Sequence, residues 1–345
     1  MVMSRVHVVV TGLCGCSDDG RRKSNCTTIC RDPTMRWRSS GLSLFLLLSI
    51  FVLKSATELR ICAYNVQKFD SAKASNERLM HYLKLILTRC DISLLQHVVD
   101  PDGQAIEKLL SMLNRGSDRY EEYDYKAVAS ESLGNSPDDM QKYVFIYRMQ
   151  TVNVTGQYQY RSKQSFVREP FVVGFQSKNA SIDKFILVPL HSEPSKAVQE
   201  INKLYDVFVE VSKKWNNTNV MFLGDFHASC AYVKRSDRKN IRLFMKSEFS
   251  WLIRNREDTT VTDATSCAYD RIVVHGEPFL RAIKPFSAKV FDLGAEFKMS
   301  RSQVVQLSDH YPVEVVLKSS ALFLQATPLS LTIASVIVRS FLSAL

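Results

Sequence analysis

A chain of 345 residues with 46% hydrophobic and 23% charged residues has the make-up of a folded protein, which excludes bulk disorder. Its length accommodates one large α/β domain with tails, or two small domains. A net charge of +10 favours polyanionic partners such as nucleic acid or an anionic membrane, without choosing between them.

Residues 1–34 hold four of the eight cysteines, Cys14, Cys16, Cys26 and Cys30, with clustered polar residues and no periodicity. Their spacing is irregular for a zinc site, and the segment reads as a non-structural extension. Met35-Arg36-Trp37-Arg38, then GLSLFLLLSIFVL, then Ser55-Ala56-Thr57 have the layout of a secretory signal. Residues 35–57 are therefore expected to be a signal peptide, with Met35 as the functional start and a signal-anchor as the alternative. The apolar run is short against the roughly 20 residues of a membrane span. A chain so targeted enters the secretory pathway, in the endoplasmic reticulum or outside the cell, where disulfides form. Sequons at Asn153, Asn179 and Asn216 fit that compartment.

The body opens with ELRICAYNV, which alternates like a half-buried strand. Ser75-Asn76-Glu77 then offers a cap for a helix through LMHYLKLIL. DISLLQHVV is an apolar strand, and Pro101 opens a second helix through AIEKLLSMLNR. YVFIYR, FVVGFQ and KFILVPL read as strands. Pro194 begins a long helix with Val198, Ile201, Leu204, Phe208 and Val211 on one stripe. NVMFLGDF, YDRIVVHG and HYPVEVVLK are further strands. With no internal repeat and no linker, residues 58–318 are expected to form one domain, an α/β layered sandwich of sheets covered by helices. Cys62 and Cys90, each inside an apolar run, read as buried thiols; Cys230 and Cys267, each just beyond a strand end, form the natural disulfide candidate. Residues 319–345 are an apolar tail interrupted by Arg339, open to reading as a lipid-anchor signal, a membrane-associating segment or a loose tail.

Polar residues gather at the strand ends: Asn65, His97, Glu131, His191, Asp225, His227, Asp270, Asp309 and His310. Singly, each is an ordinary capping or turn residue. Together they fit metal-assisted phosphodiester hydrolysis. Two histidines serve as general acid and base near neutral pH, each oriented by a carboxylate, while oxygen ligands hold a hard cation at the phosphate.

AYNVQ, SESLG, REPFVV, VPLH, GDF, CAYDRIVV and SDHYPVEV resemble, in order, the signature segments of the deoxyribonuclease I family of secreted endonucleases. The resemblance spans residues 58–318. It implies a four-layer sandwich of two mixed β-sheets flanked by helices, shared with exonuclease III-type nucleases and inositol-phosphate phosphatases. It also implies a monomer that acts on DNA with Mg²⁺ or Mn²⁺ at the catalytic site and Ca²⁺ as a structural ion. His191 oriented by Glu131 and His310 oriented by Asp270 would be the acid/base pairs. Asp225, Asp309 and Asn65 would face the metal and scissile phosphate, and Arg168 would bind phosphate. Asp258 and Thr260 would lie in a calcium loop, and Cys230–Cys267 would be the structural disulfide.

Two residues depart from the family pattern, which has glutamate where His97 stands and asparagine where His227 stands. Imidazole replaces a charged oxygen ligand at the first and an amide at the second. Three readings follow: an endonuclease with reduced or altered metal dependence, a catalytically impaired DNA-binding relative, or a phosphatase of the same fold. Nitrogen ligands shift preference toward Mn²⁺, Co²⁺ or Zn²⁺.

Overall fold

The computed structural model describes residues 58–115, 124–161 and 166–320. Residues 1–57, where an N-terminal extension and a signal peptide were expected, and residues 321–345 of the tail lie outside the described residues.

In chain order the strands are β1 (Leu59–Phe69), β2 (Ile92–Val98), β3 (Tyr125–Ala129), β4 (Lys142–Arg148), β5 (Val152–Gln159) and β6 (Phe171–Ser177), followed by β7 (Lys184–Pro189), β8 (Val220–Asp225), β9 (Phe249–Trp251), β10 (Asp270–His275), β11 (Lys289–Val290) and β12 (Val313–Leu317). They form two six-stranded sheets, ordered β11-β12-β1-β2-β4-β3 and β5-β6-β7-β8-β10-β9. Each sheet is mixed: β1–β2 and β7–β8 run parallel, and the other pairs are antiparallel. The helices are α1 (Ser71–Ser75), α2 (Glu77–Leu87), α3 (Gln104–Asn114), α4 (Ala197–Trp215), α5 (Arg242–Met245), α6 (Glu277–Ala282), α7 (Leu293–Phe297) and α8 (Arg301–Leu307).

Alternation along the strands builds the layers. Ile61, Leu94 and Phe145 of the first sheet meet Val173, Phe175, Leu223 and Ile272 of the second in the central core. The opposite face of the first sheet, with Leu95 and Ile146, is covered by Met80, Leu83 and Ile86 of α2, Leu109 of α3 and Val304 of α8. The opposite face of the second sheet, with Phe222 and Val273, receives Ile201, Leu204, Val207 and Val211 of α4. Each such side chain contributes about 1.5–3 kcal/mol on leaving water. The result is helices, sheet, sheet, helix.

Local chemistry sets the element ends. Asn76 caps α2 by accepting from Leu79 N. Helix α3 starts at Gln104, three residues later than Pro101 implied, because the Asp100 carboxylate accepts from both Ala105 N and Ile106 N. Two irregularities shape the site. The β1–β2 register shifts between Asn65 and Phe69, where Gln67 (φ 43°) and Lys68 (φ 59°) are left-handed. The β2–β4 register shifts between Leu95 and Val98, where His97 has φ 60°. Bulges of this kind re-aim side chains at sheet rims.

Cys230 and Cys267 are joined, with Cα atoms 6.0 Å apart. Cys62 and Cys90 are buried, but the expectation of free thiols is corrected: they form a second disulfide, with Cα atoms 6.1 Å apart. Cys62 sits mid-strand in β1, and Cys90 lies between α2 and β2, the strand that pairs with β1. The parallel β1–α2–β2 crossover therefore returns the second cysteine to the first.

Candidate active site

The strand ends converge on Asp225, the last residue of β8, which is fully buried. Gln96 of β2 reaches across from the other sheet. Its Nε2 donates to Leu190 O (2.7 Å), and its Oε1 accepts from Asp225 N (2.9 Å). The crossing is so close that a Cβ on Gly224 (φ +125°) would lie 2.4 Å from Gln96 Nε2, so this position requires glycine. Asn65 Nδ2, from β1, donates to Asp225 Oδ2 at 3.0 Å. One carboxylate and two amides thus lock the two sheets together at the rim.

His191, after β7, and His310, before β12, approach Asp225 Oδ2 with their Nε2 atoms, at 3.7 and 3.6 Å. His310 Nδ1 lies 2.7 Å from Asp270 Oδ2. His191 Nδ1 lies 2.7 Å from Gln141 Oε1, not from Glu131. The Glu131 carboxylate is 58% exposed and pairs with Arg161. The backbone explains this correction. Ser130 turns inward, its Oγ accepting from Tyr143 N, so its neighbour Glu131 faces solvent. The Leu133–Gln141 bridge then carries the buried Gln141 amide to the imidazole.

The partners and burial separate the two rings electrostatically. Burial pushes His191 well below the usual imidazole range; Asp225 pulls the other way, while Arg168, His227 and His97 add to the depression. At His310 burial also opposes the charged form, but Asp270 and Asp225 outweigh it and hold the pKa up at about 10. Burial would raise Asp225, yet His227, His310 and His191 together keep it below the ordinary carboxylate range. The site therefore carries a neutral His191 and a protonated His310 around an ionised Asp225.

His227 N donates to Asp225 Oδ1 (3.1 Å), and His227 Nδ1 lies 3.2 Å from Ser192 Oγ. Its ring stacks on His191 with centroids 6.0 Å apart. His97 is half-buried, its ring centroid 5.6 Å from that of His191, and burial lowers its pKa. Both residues have left-handed backbones, with φ 48° at His227 and 60° at His97. Such positions are uncommon outside glycine and cluster at functional sites. Asp309 is half-buried, its N–H donated to Gln67 Oε1 at 3.2 Å. Among the described residues, the side chains that come within 4.8 Å of one another in a metal-ligating arrangement are Asp225, Asp270 and His310. Asp270 is already hydrogen-bonded to His310, so of the expected metal set Asp225 is the central carboxylate. Asn65 and His227 touch it directly, and His97 packs beside the His191 ring.

Arg168 is buried and bound within the protein. Its Nε donates to His191 O (3.0 Å), Nη1 to both Asp139 carboxylate oxygens (3.2 and 2.9 Å), and Nη2 to Glu193 at 3.4 Å. It holds the backbone of His191, and its contacts are with carboxylates where a phosphate was expected. Asp258 Oδ1 accepts from Thr260 N, Thr260 Oγ1 and Cys267 N, which closes its own loop beside the Cys230–Cys267 disulfide. Gln96, Gln141 and Ser192 escaped the sequence reading. The one available signal was a glutamine inside the apolar run LLQHV, a polar group that a buried strand must satisfy.

The endonuclease/exonuclease/phosphatase family pattern matches residues 62–310. Deoxyribonuclease gamma of Rattus norvegicus is 40% identical over 81% of this chain and 90% of its own length. Deoxyribonuclease-1 of Rattus norvegicus is 42% identical over 82% of this chain and 100% of its own. Human deoxyribonuclease-1-like 1 is 41% identical over 83% and 93%. A solved endonuclease/exonuclease/phosphatase family protein of Leptotrichia buccalis superposes with a TM-score of 0.55 at 15% identity, covering 75% of this chain and 99% of that one, a likeness of fold. With two six-stranded mixed sheets, their helical covers and relatives at this identity, the chain belongs to the deoxyribonuclease I family of the endonuclease/exonuclease/phosphatase fold.

Proposed function

We propose that the chain is a divalent-metal-dependent endonuclease that hydrolyses DNA phosphodiester bonds, with activity altered by His97, His227 and Gln141. The observation that carries this reading is the pair of imidazole Nε2 atoms set 3.7 and 3.6 Å from one buried carboxylate oxygen, with an amide behind one ring and a carboxylate behind the other. Residues whose environments push their protonation states apart divide the acid and base roles between them. His191 donates its Nδ1–H to Gln141 Oε1, which leaves Nε2 free to take a proton from water. The water oxygen bonds to phosphorus, the bond to the 3′-oxygen breaks, and His310 Nε2–H protonates the departing oxygen. Asp270 holds His310 in the cationic form until that moment.

Asp225 offers a buried anionic oxygen beside imidazole nitrogen, a donor set that fits a borderline divalent cation. Asp225 and Asp309, with Asn65, His97 and His227 around them, would hold such an ion, which supplies charge stabilisation to the phosphate oxygens. Because nitrogen donors favour manganese over magnesium, plasmid nicking is expected to run faster in Mn²⁺ than in Mg²⁺. Equal or faster nicking in Mg²⁺ contradicts the assigned ligands. A second reading, a DNA-binding relative that does not cut, is favoured by the amide partner of His191 and the imidazole at position 97. It predicts DNA binding without nicking in either metal. The two disulfides and the exposed Asn153, Asn179 and Asn216 support a place in the secretory pathway. Membrane association through the tail rests on its apolar sequence.

A further inference from the structure

Lys73 takes no part in the chemistry above, yet it is built into the rim of the site. It sits on α1, half-buried, and gives its three ammonium N–H groups to three backbone carbonyls: Val66 O (2.8 Å), Gln67 O (2.9 Å) and Leu307 O (2.6 Å). Val66 and Gln67 lie in the β1 register shift immediately after Asn65, where Gln67 is left-handed. Leu307 ends α8, immediately before Ser308-Asp309-His310, and a helix C-terminus is where a cation is favoured. The same two segments meet again: Ser308 Oγ donates to Asn65 O (2.6 Å) and Asp309 N donates to Gln67 Oε1 (3.2 Å), while within β1 Gln67 N donates to Asn65 Oδ1 (3.0 Å). The adjoining cavity is about 10 Å³, with Tyr64, Phe69, Met80 and Leu83 among its walls, at the lower limit for a single water.

We infer that Lys73 is a positioning residue, a tethered ammonium that fixes Asn65 and the Asp309–His310 segment relative to one another by joining the β1 bulge to the end of α8. The kinetic part of this inference rests on the proposed nuclease activity; the structural part does not. Lysine suits the role because three rotatable donors on a flexible stem can meet three separate carbonyls. A displacement of catalytic groups by an ångström is enough to slow a reaction by about 100-fold.

The test uses the full chain with Lys73→Met and Lys73→Gly, and reads both plasmid nicking and amide hydrogen exchange. In Lys73→Met, kcat is expected to fall by roughly 10- to 100-fold with KM nearly unchanged. Exchange should quicken at Gln67 and Asp309 while α4 keeps its protection. In Lys73→Gly, added methylammonium or ethylammonium is expected to restore both kcat and that local protection. The inference is overturned if kcat and local exchange match the wild type in Lys73→Met, or if protection is lost evenly across the chain and no amine restores it. Should Lys73→Gly fail to fold, Lys73→Arg replaces it: the retained cation should recover local protection, and exchange as fast as in Lys73→Met overturns the inference. A wild type that does not nick DNA contradicts the nuclease reading alone, because the exchange measurements still decide the role of Lys73.

Discussion

The amide of Gln141 and the carboxylate of Asp270 give two imidazoles different chemistry. An amide oxygen fixes the tautomer of His191 without stabilising its cation, whereas Asp270 stabilises the cation of His310 directly. Gln141→Glu should therefore raise the His191 pKa, as followed by NMR of its ring protons, and increase kcat by roughly tenfold or more, since a stronger base aids proton abstraction. An unchanged His191 pKa in that variant contradicts the assigned contact. At this scale the sequence was legible where a charged residue bounds an apolar run. Asp270 in AYDRIVV and His310 in SDHYPVEV are such cases, and strand geometry brings them together. Gln141 was not legible, because an amide carries no charge to mark it and the Leu133–Gln141 bridge that delivers it joins residues across a loop. Glu131 attracted notice as the nearest carboxylate by type, but backbone alternation turns it outward.

The apolar runs that read as strands, from RICAYNV to HYPVEVV, occupy the interiors of the two sheets. The strands that escaped the reading are β3, β5, β9 and β11, the edge strands of both sheets. Edge strands are solvated along one side and need no continuous apolar pattern; VNVTGQYQ in β5 is an example. The Cys62–Cys90 disulfide ties the β1–α2–β2 unit across a sequence separation of 28. A Cys62→Ser/Cys90→Ser double variant is expected to lose about 3–4 kcal/mol of stability in denaturant titration, and a loss below about 1 kcal/mol contradicts the bond. Helix α4 carries a second testable group. Glu200 is buried, its Oε1 accepting from Val167 N and its Oε2 from Glu193 N, and burial pushes its pKa up to about 7. Its folded pKa lies above the unfolded value, so its stability contribution is complete below about pH 4.5 and is lost as pH rises through about 7. The wild type should lose on the order of 3 kcal/mol across that window at this site, and Glu200→Gln should flatten the slope. Unfolding titrations of both proteins at each pH check it; parallel pH profiles contradict the assignment.

For the whole molecule, the sandwich explains why residues as distant in sequence as Asn65 and His310 share one rim. Parallel β1–β2 and β7–β8 place Asn65, at the β1 register shift, near His97, His191 and Asp225 at strand ends, and the antiparallel β10 and β12 begin there with Asp270 and His310 beside them. Nicking of supercoiled plasmid in Mn²⁺ by the wild type, His191→Asn and His310→Asn tests the central claim most directly, that these two imidazoles around Asp225 divide the work of cutting DNA. The expected result is nicking by the wild type and a loss of about 100-fold or more in each variant. Nicking that persists in either variant at the wild-type rate, or none by the wild type in any divalent metal, contradicts it.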